Sequence, residues 1–217
     1  MSRLLSPTQA ARIYDRLAPL MNLSAVVEDR ATNELLERLE PAQAASIFEF
    51  GCGTGHFAAQ LLVRAPSARY LGVDVSSGMV ARARRTLRPF AARAEVRLGD
   101  GGVPAWPADA SCDRFVSNYV LDLLPEAEIA QVLAEAGRML KPGGLLALAS
   151  LTEGHTPSSR LLMRGWSWLH ARQPALVAGC RAIRLLDYLP AAEWQVLHHQ
   201  RVAPLAVPLE AVLARRL

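Results

Sequence analysis

Apolar positions along this chain follow two alternating rhythms. Short runs of β-forming residues, of which Ile47, Phe48 and Phe50 are the clearest, predict strands at 46–50, 69–73, 94–98, 113–118 and 143–150. Between them apolar residues recur every three or four positions, which predicts helices at about 55–65, 77–88 and 126–139. Strands and helices in this order build a parallel sheet covered on both faces. Pro125 suits the first turn of the 126–139 helix. Pro142-Gly143-Gly144 reads as a turn feeding the fifth strand.

The flanks are different. Residues 8–23 carry Ile13, Leu17 and Leu20 at helical spacing, interrupted by Pro19, and residues 28–39 form a clearer amphipathic helix with Leu35, Leu36 and Leu39, closed by Pro41. After residue 151, Leu161, Leu162, Trp166 and Leu169 mark an amphipathic helix over 158–172 that also exposes aromatic surface. A short segment at 174–180 and a short helix at 185–194, interrupted by Pro190, come next. Two strands follow, at 195–203 and 209–216. The chain shows no internal repeat, low-complexity tract or linker. We read residues 1–217 as one domain: N-terminal cap helices at 1–45, a ligand-binding core at 46–150, and substrate-cover helices with a terminal hairpin at 151–217.

Composition narrows the classes. A net charge of +4 permits an anionic partner without demanding nucleic acid, and no block of five like charges occurs. Arg82, Arg84, Arg85 and Arg88 lie at helical spacing and read as a solvated helix face. Cys52, Cys112 and Cys180 are far apart, with no C-x-x-C pair and no zinc-ligand spacing, which suits a reducing compartment. With no signal-peptide pattern and no apolar run of membrane-spanning length, the expectation is a soluble, cytoplasmic protein with no transmembrane segment.

The chemistry centres on the stretch after the first strand. Gly51, Gly53 and Gly55 alternate and then give way to the helical run that begins at His56. Strand, glycine loop and helix is the layout that places a ligand at a helix N-terminus in a doubly wound sheet. The loop is G-x-G-x-G, because position 56 is His56 where a dinucleotide fingerprint has glycine. No P-loop exists, and Lys141 is the sole lysine. Asp74 ends the second strand, roughly 20 residues on, where an acidic residue can accept from ribose hydroxyls.

Four motifs now stand in order: Glu49 to Gly55, Gly72-Val73-Asp74-Val75-Ser76 with Met79, Gly99-Asp100-Gly101, and Leu140-Lys141-Pro142-Gly143-Gly144. Together they resemble the motif set of class I S-adenosylmethionine-dependent methyltransferases over about residues 46–150. An NAD-type or other Rossmann-like site sharing the loop is the rival. The resemblance implies a Rossmann-like α/β fold, a seven-stranded doubly wound sheet with an antiparallel last strand and a helical cap. It also implies S-adenosylmethionine as cofactor and S-adenosylhomocysteine as product. The Gly51, Cys52, Gly53 and Gly55 backbone would pass the methionine portion, with Glu49 near its amine. Asp74 would take the ribose, Val75 and Met79 the adenine face, Asp100 and Gly101 the adenine amino group. Asn118, in Ser117-Asn118-Tyr119, would face the sulfonium. Tyr14 to Asn22 resembles the N-terminal segment of ubiquinone/menaquinone-biosynthesis methyltransferases, where a tyrosine-aspartate pair lies over the cofactor.

Nucleic-acid amino-methyltransferases often carry Asn/Asp-Pro-Pro-aromatic after the fourth strand. Both prolines are missing here, which favours a small-molecule substrate, lipid- or quinone-like or a secondary metabolite, over nucleic acid. Methyl transfer from a sulfonium is a direct displacement, so positioning supplies much of the rate. A base helps where the acceptor loses a proton. His155, Tyr119 and Asp122 are the candidates put forward, with His170, His198 and His199 behind them; His56 caps or packs equally well. No metal site is expected. The expected function is methyl transfer to an O, N or C atom of a small, partly apolar acceptor. The alternatives are a cofactor-binding enzyme that catalyses a non-methylating cyclisation or rearrangement, and a non-catalytic methyltransferase-like partner subunit.

Overall fold

In the computed structural model, which describes residues 4–17 and 25–217, Ser46–Phe50 forms the first strand, β1. Its side chains divide between two apolar layers. Ile47 joins Leu35, Leu36, Leu61 and Leu62 on one face, while Phe48 and Phe50 join Phe115, Ile129 and Val132 on the other. Strands β2 (Arg69–Asp74), β3 (Ala94–Leu98), β4 (Cys112–Asn118), β5 (Leu140–Leu151), β6 (Trp194–Val202) and β7 (Leu209–Arg216) complete one sheet in the order β3-β2-β1-β4-β5-β7-β6. The pairings from β3 through β5 are parallel. β7 pairs antiparallel with both β5 and β6, so the expected reversed last strand is present.

Helices α1 (Pro7–Leu17), α2 (Ala25–Arg38), α3 (His56–Arg64), α4 (Ser77–Thr86), α5 (Glu126–Met139) and α6 (Pro157–Arg172) surround the sheet. β5 shows why both faces must be covered. Leu145, Ala147, Ala149 and Leu151 enter one core while Leu146 and Leu148 enter the other. Each buried leucine of that kind contributes about 1.5–3 kcal/mol. Asp113 accepts from the backbone N–H groups of Ala45 and Ser46, and the Arg114 guanidinium donates to Leu39 O. These contacts hold the end of α2 against the start of β1 and β4. No helix of the described residues is long and apolar enough to cross a membrane.

Three local expectations change. Pro142-Gly143-Gly144 lies inside β5, which begins at Leu140. The register jumps from Cys112 opposite Leu140 to Arg114 opposite Leu145, so the extra residues bulge out with Gly143 at φ +77°. Pro125 precedes α5 as its cap, with φ −63° and ψ 156°, and the helix starts at Glu126. Residues 185–194 are not one helix. Leu185–Tyr188 makes a single 3-10 turn, a further turn returns on Pro190 O, and buried Trp194 already begins β6. Glu210 imposes the bend by accepting from Leu185 N at 2.7 Å. The helix expected over 8–23 is seen as α1; Pro19, Leu20 and Asn22 lie outside the described residues.

Candidate functional site

The strand order reverses between β1 and β4, and the carboxyl ends of these strands frame a cavity of about 520 Å³. Such a reversal is where an open α/β sheet binds ligands. The loop after β1 turns through Gly51, Gly53 and Gly55, all at positive φ. At Gly51 a Cβ would meet Val120 Cγ2 at 2.1 Å, so this position requires glycine for space as well as for conformation. Gly51 and Cys52 both donate to Val73 O, and Gly53 N donates to Asp74 Oδ2 at 2.9 Å. Gly55 caps α3 and does not line the cavity.

The carboxylates define the electrostatics. Asp74 accepts Gly53 N on one oxygen and Ser76 N, at 2.9 Å, on the other. Each oxygen keeps a lone-pair direction for a further donor. Burial raises its pKa, while the backbone N–H groups oppose the rise. Glu49 is 2% exposed and accepts one short bond, 2.5 Å, from the Tyr70 hydroxyl. Burial pushes its carboxyl up to about 8; the Tyr70 bond works against this and the nearby Asp74 adds to it. Burial, with Asp74 and Glu49 close by, likewise raises the Cys52 thiol. Among the described residues no arginine or lysine lines this cavity, whereas Glu49, Asp74, Asp122 and Glu128 do. Beside them both amide atoms of Asn118 are buried with no hydrogen-bond partner. Four acids, of which Glu49 and Asp122 are buried, and an orphan amide call for a ligand that brings positive charge and its own donors and acceptors.

Val75, Met79, Gly101 and Tyr14 also line the cavity. Asp100 does not. Its side chain turns back to accept from Gly102 N at 3.1 Å, and the neighbouring glycines face the cavity in its place. Tyr14 and Asp15 part company: the Tyr14 hydroxyl lies 3.8 Å from Cys180 Sγ, whereas Asp15 Oδ1 accepts from Ser76 Oγ at 2.6 Å and Gly78 N at 2.8 Å. Those two bonds hold the Asp15 carboxyl below its usual range. Asp15 thus fastens α1 to the start of α4, with Pro7, Ala10 and Tyr14 over the cavity.

Of the candidate bases, Tyr119 and Asp122 line the cavity, Tyr119 with a left-handed φ of 58°. Asp122 is 1% exposed and accepts from Leu151 N. His155 does not line it; its backbone N–H donates to Ser159 Oγ at the start of α6. His170 contacts Gly179 O, and His198 and His199 pair with Glu34 and Glu210. Of the five histidines only His56 reaches the cavity wall. Residues with no sequence motif complete the lining, among them Leu123, Leu151, Trp166, Cys180, Val207 and Leu209. The amphipathic spacing of 158–172 was the signal for Trp166; the others come from turns and strand ends, where spacing carries no such signal.

A family model described as a methyltransferase domain matches residues 47–144. The chain is 36% identical over 181 residues to a trans-aconitate 2-methyltransferase of Azoarcus sp. (strain BH72), covering 83% of this chain and 64% of that protein. It is 30% identical over 199 residues to the enzyme of that name from Methylobacterium radiotolerans, covering 85% and 73%. The chain therefore spans less than two thirds of the length of the Azoarcus relative, and about half the length of several others. In three dimensions it is similar to the [4+2]-cyclase SpnF, with a TM-score of 0.72 at 18% identity over 98% of this chain and 97% of that one. That likeness is one of fold.

Proposed function

This chain belongs to the class I S-adenosylmethionine-dependent methyltransferases, and we propose that it moves a methyl group to an oxygen, nitrogen or carbon of a small, partly apolar acceptor. The observation that carries the reading is Glu49. This carboxyl is buried at the cavity wall, raised to about 8, with Tyr70 as its one hydrogen-bond donor and no arginine or lysine in the lining among the described residues. A cationic ligand removes that imbalance.

The residues fit the cofactor. Asp74 has lone pairs for ribose hydroxyls, Asn118 has an unspent amide, and Val75 and Met79 offer apolar surface. The cofactor supplies an electrophilic methyl group on a sulfonium. The protein's part is to exclude water beneath α1, to hold the acceptor in line, and to receive a proton where the acceptor loses one. Tyr119 and Asp122, which line the cavity, are our candidates for the last task, and His155, which does not, is dropped.

The rest of the lining shapes the acceptor. Leu5, Ala10, Leu123, Trp166, Val207 and Leu209 make an apolar enclosure. Trans-aconitate, the substrate in the relatives' names, carries several carboxylates, and the described lining offers them no arginine or lysine. We therefore favour an acceptor whose reacting end is uncharged; a quinone- or lipid-like compound and a secondary metabolite both meet that requirement. The test is a screen with methyl-labelled cofactor and mass analysis. Product heavier by one methyl group, with S-adenosylhomocysteine released, supports the reading. An isomerised product of unchanged mass, or label found only on nucleic acid or protein, overturns it.

A further inference from the structure

Trp166 is shared by two concavities. One of its sides belongs to the cavity above; the other lines an open cleft between α6 and the segments 153–154 and 181–182. The partition is fixed, because the indole N–H donates to Cys180 O at 2.8 Å. The two concavities have opposite charge. The cleft is lined by Arg160, Arg164, Arg181 and the Ser167 hydroxyl, against one acid, Glu153. Arg160 and Arg164 are four residues apart, on one face of α6, and have no acidic partner among the described residues. Arg181 gives one nitrogen to Leu124 O at 2.7 Å, while its Nε is buried without a hydrogen-bond partner.

Arg160 and Arg164 on one helix face, with Arg181 bordering the same cleft, put positive charge there that an anion would neutralise. Their planar donor forks match a carboxylate or a phosphate. We propose that this cleft is an anion-recognition site, and that it holds a carboxylate or phosphate at the remote end of the acceptor whose uncharged end enters the cavity. The second half rests on the methyl-transfer reading; the cleft's affinity for an anion does not. Together the two concavities impose one orientation on such a molecule. Its charged end is disfavoured among Glu49, Asp74 and Asp122, and is matched beyond Trp166.

The experiment titrates octyl phosphate, octanoate and 1-octanol into the whole protein saturated with S-adenosylhomocysteine, with inorganic phosphate in parallel. Octyl phosphate or octanoate should bind at least ~10-fold more tightly than 1-octanol. R160E/R164E should abolish that preference and leave S-adenosylhomocysteine affinity unchanged. R160Q/R164Q serves if charge reversal disturbs folding, and should reduce the preference in the same direction. Inorganic phosphate should shift the Trp166 indole N–H resonance in the native chain and not in the variant. Equal binding of all three octyl probes, or a preference that survives both double variants, overturns the proposal. An indole shift with phosphate but no advantage for the octyl anions leaves a free-anion site and overturns the acceptor half. Failure of S-adenosylhomocysteine to bind at all is a separate result, which sinks the methyl-transfer reading instead.

Discussion

The Tyr70 hydroxyl reaches Glu49 by crossing over Gly72. In the parallel register of β1 and β2, Glu49 lies opposite Gly72, and a Cβ on that glycine would lie 2.5 Å from the phenol oxygen. The glycine is what allows a neutral donor from two residues back to sit on a buried carboxyl. With a single donor at 2.5 Å, that carboxyl stays at about 8. A pH dependence of stability follows. The folded value lies above the ordinary 4.5, so the folded state binds the extra proton. Stability without ligand should be full below about 4.5, fall as pH rises, and finish falling just above 8. The total loss is on the order of a few kcal/mol. Thermal melts of native protein and E49Q check this: the variant should lose most of the slope. Cofactor binding near pH 7.5 should also release protons in the native chain, seen as buffer-dependent binding enthalpy, and E49Q should release fewer.

Asp74 ties the glycine loop to β2, and the proposed function gives its remaining lone pairs to ligand hydroxyls. D74A should weaken S-adenosylhomocysteine binding by about 100-fold, the scale of two lost bonds to a charged group. Titration calorimetry measures it. Binding within threefold of native would show that the ribose does not rest on this residue.

G51A places a methyl group 2.1 Å from Val120 Cγ2 at a φ of +77°. The combined strain and overpacking should cost roughly 3 kcal/mol or more. Urea unfolding of G51A and of G51A/V120A separates the two causes. The double variant should recover the steric part, leaving the conformational part.

His155 stood first among the candidate bases because it follows the fifth strand, but Asp122 lines the cavity and His155 does not. With an acceptor that loses a proton, D122N should lower kcat by about 100-fold or more, whereas H155A should remain within about twofold of native. Y119F, compared in the same assay, shows whether the phenol shares the task. A large loss in H155A alone would reverse the assignment.

How far the sequence reveals this molecule depends on what each residue answers to. β1, β3 and β7 keep their expected bounds because local sequence sets them, through a short apolar run in β1 and strict apolar-polar alternation in β3. β5 was read short, since Lys141 and Pro142 are exposed and only Leu140, opposite Cys112, shows that pairing begins earlier. Gly51, Gly53 and Asp74 were legible as cavity lining because a glycine loop and an acid at a strand end follow from backbone conformation and local sequence. Asp100 had the right sequence context, and its carboxylate was drawn into a local turn with Gly102 N. Tyr70 and the partition at Trp166 were not legible as site features, and Asp15 was named only through the family resemblance, without its partners. Their partners lie 21, 61 and 14 residues away and meet only through strand register and helix packing.

The Asp15 contact with Ser76 and Gly78 sets a clock as well as a position. The helix that carries it also carries the roof of the cavity, Pro7, Ala10 and Tyr14, and Ser76 borders the loop that holds Asp74. Removing that carboxylate in D15A should therefore speed the release of S-adenosylhomocysteine, measured by stopped flow, from beneath a helix whose anchor need not touch the reacting atoms.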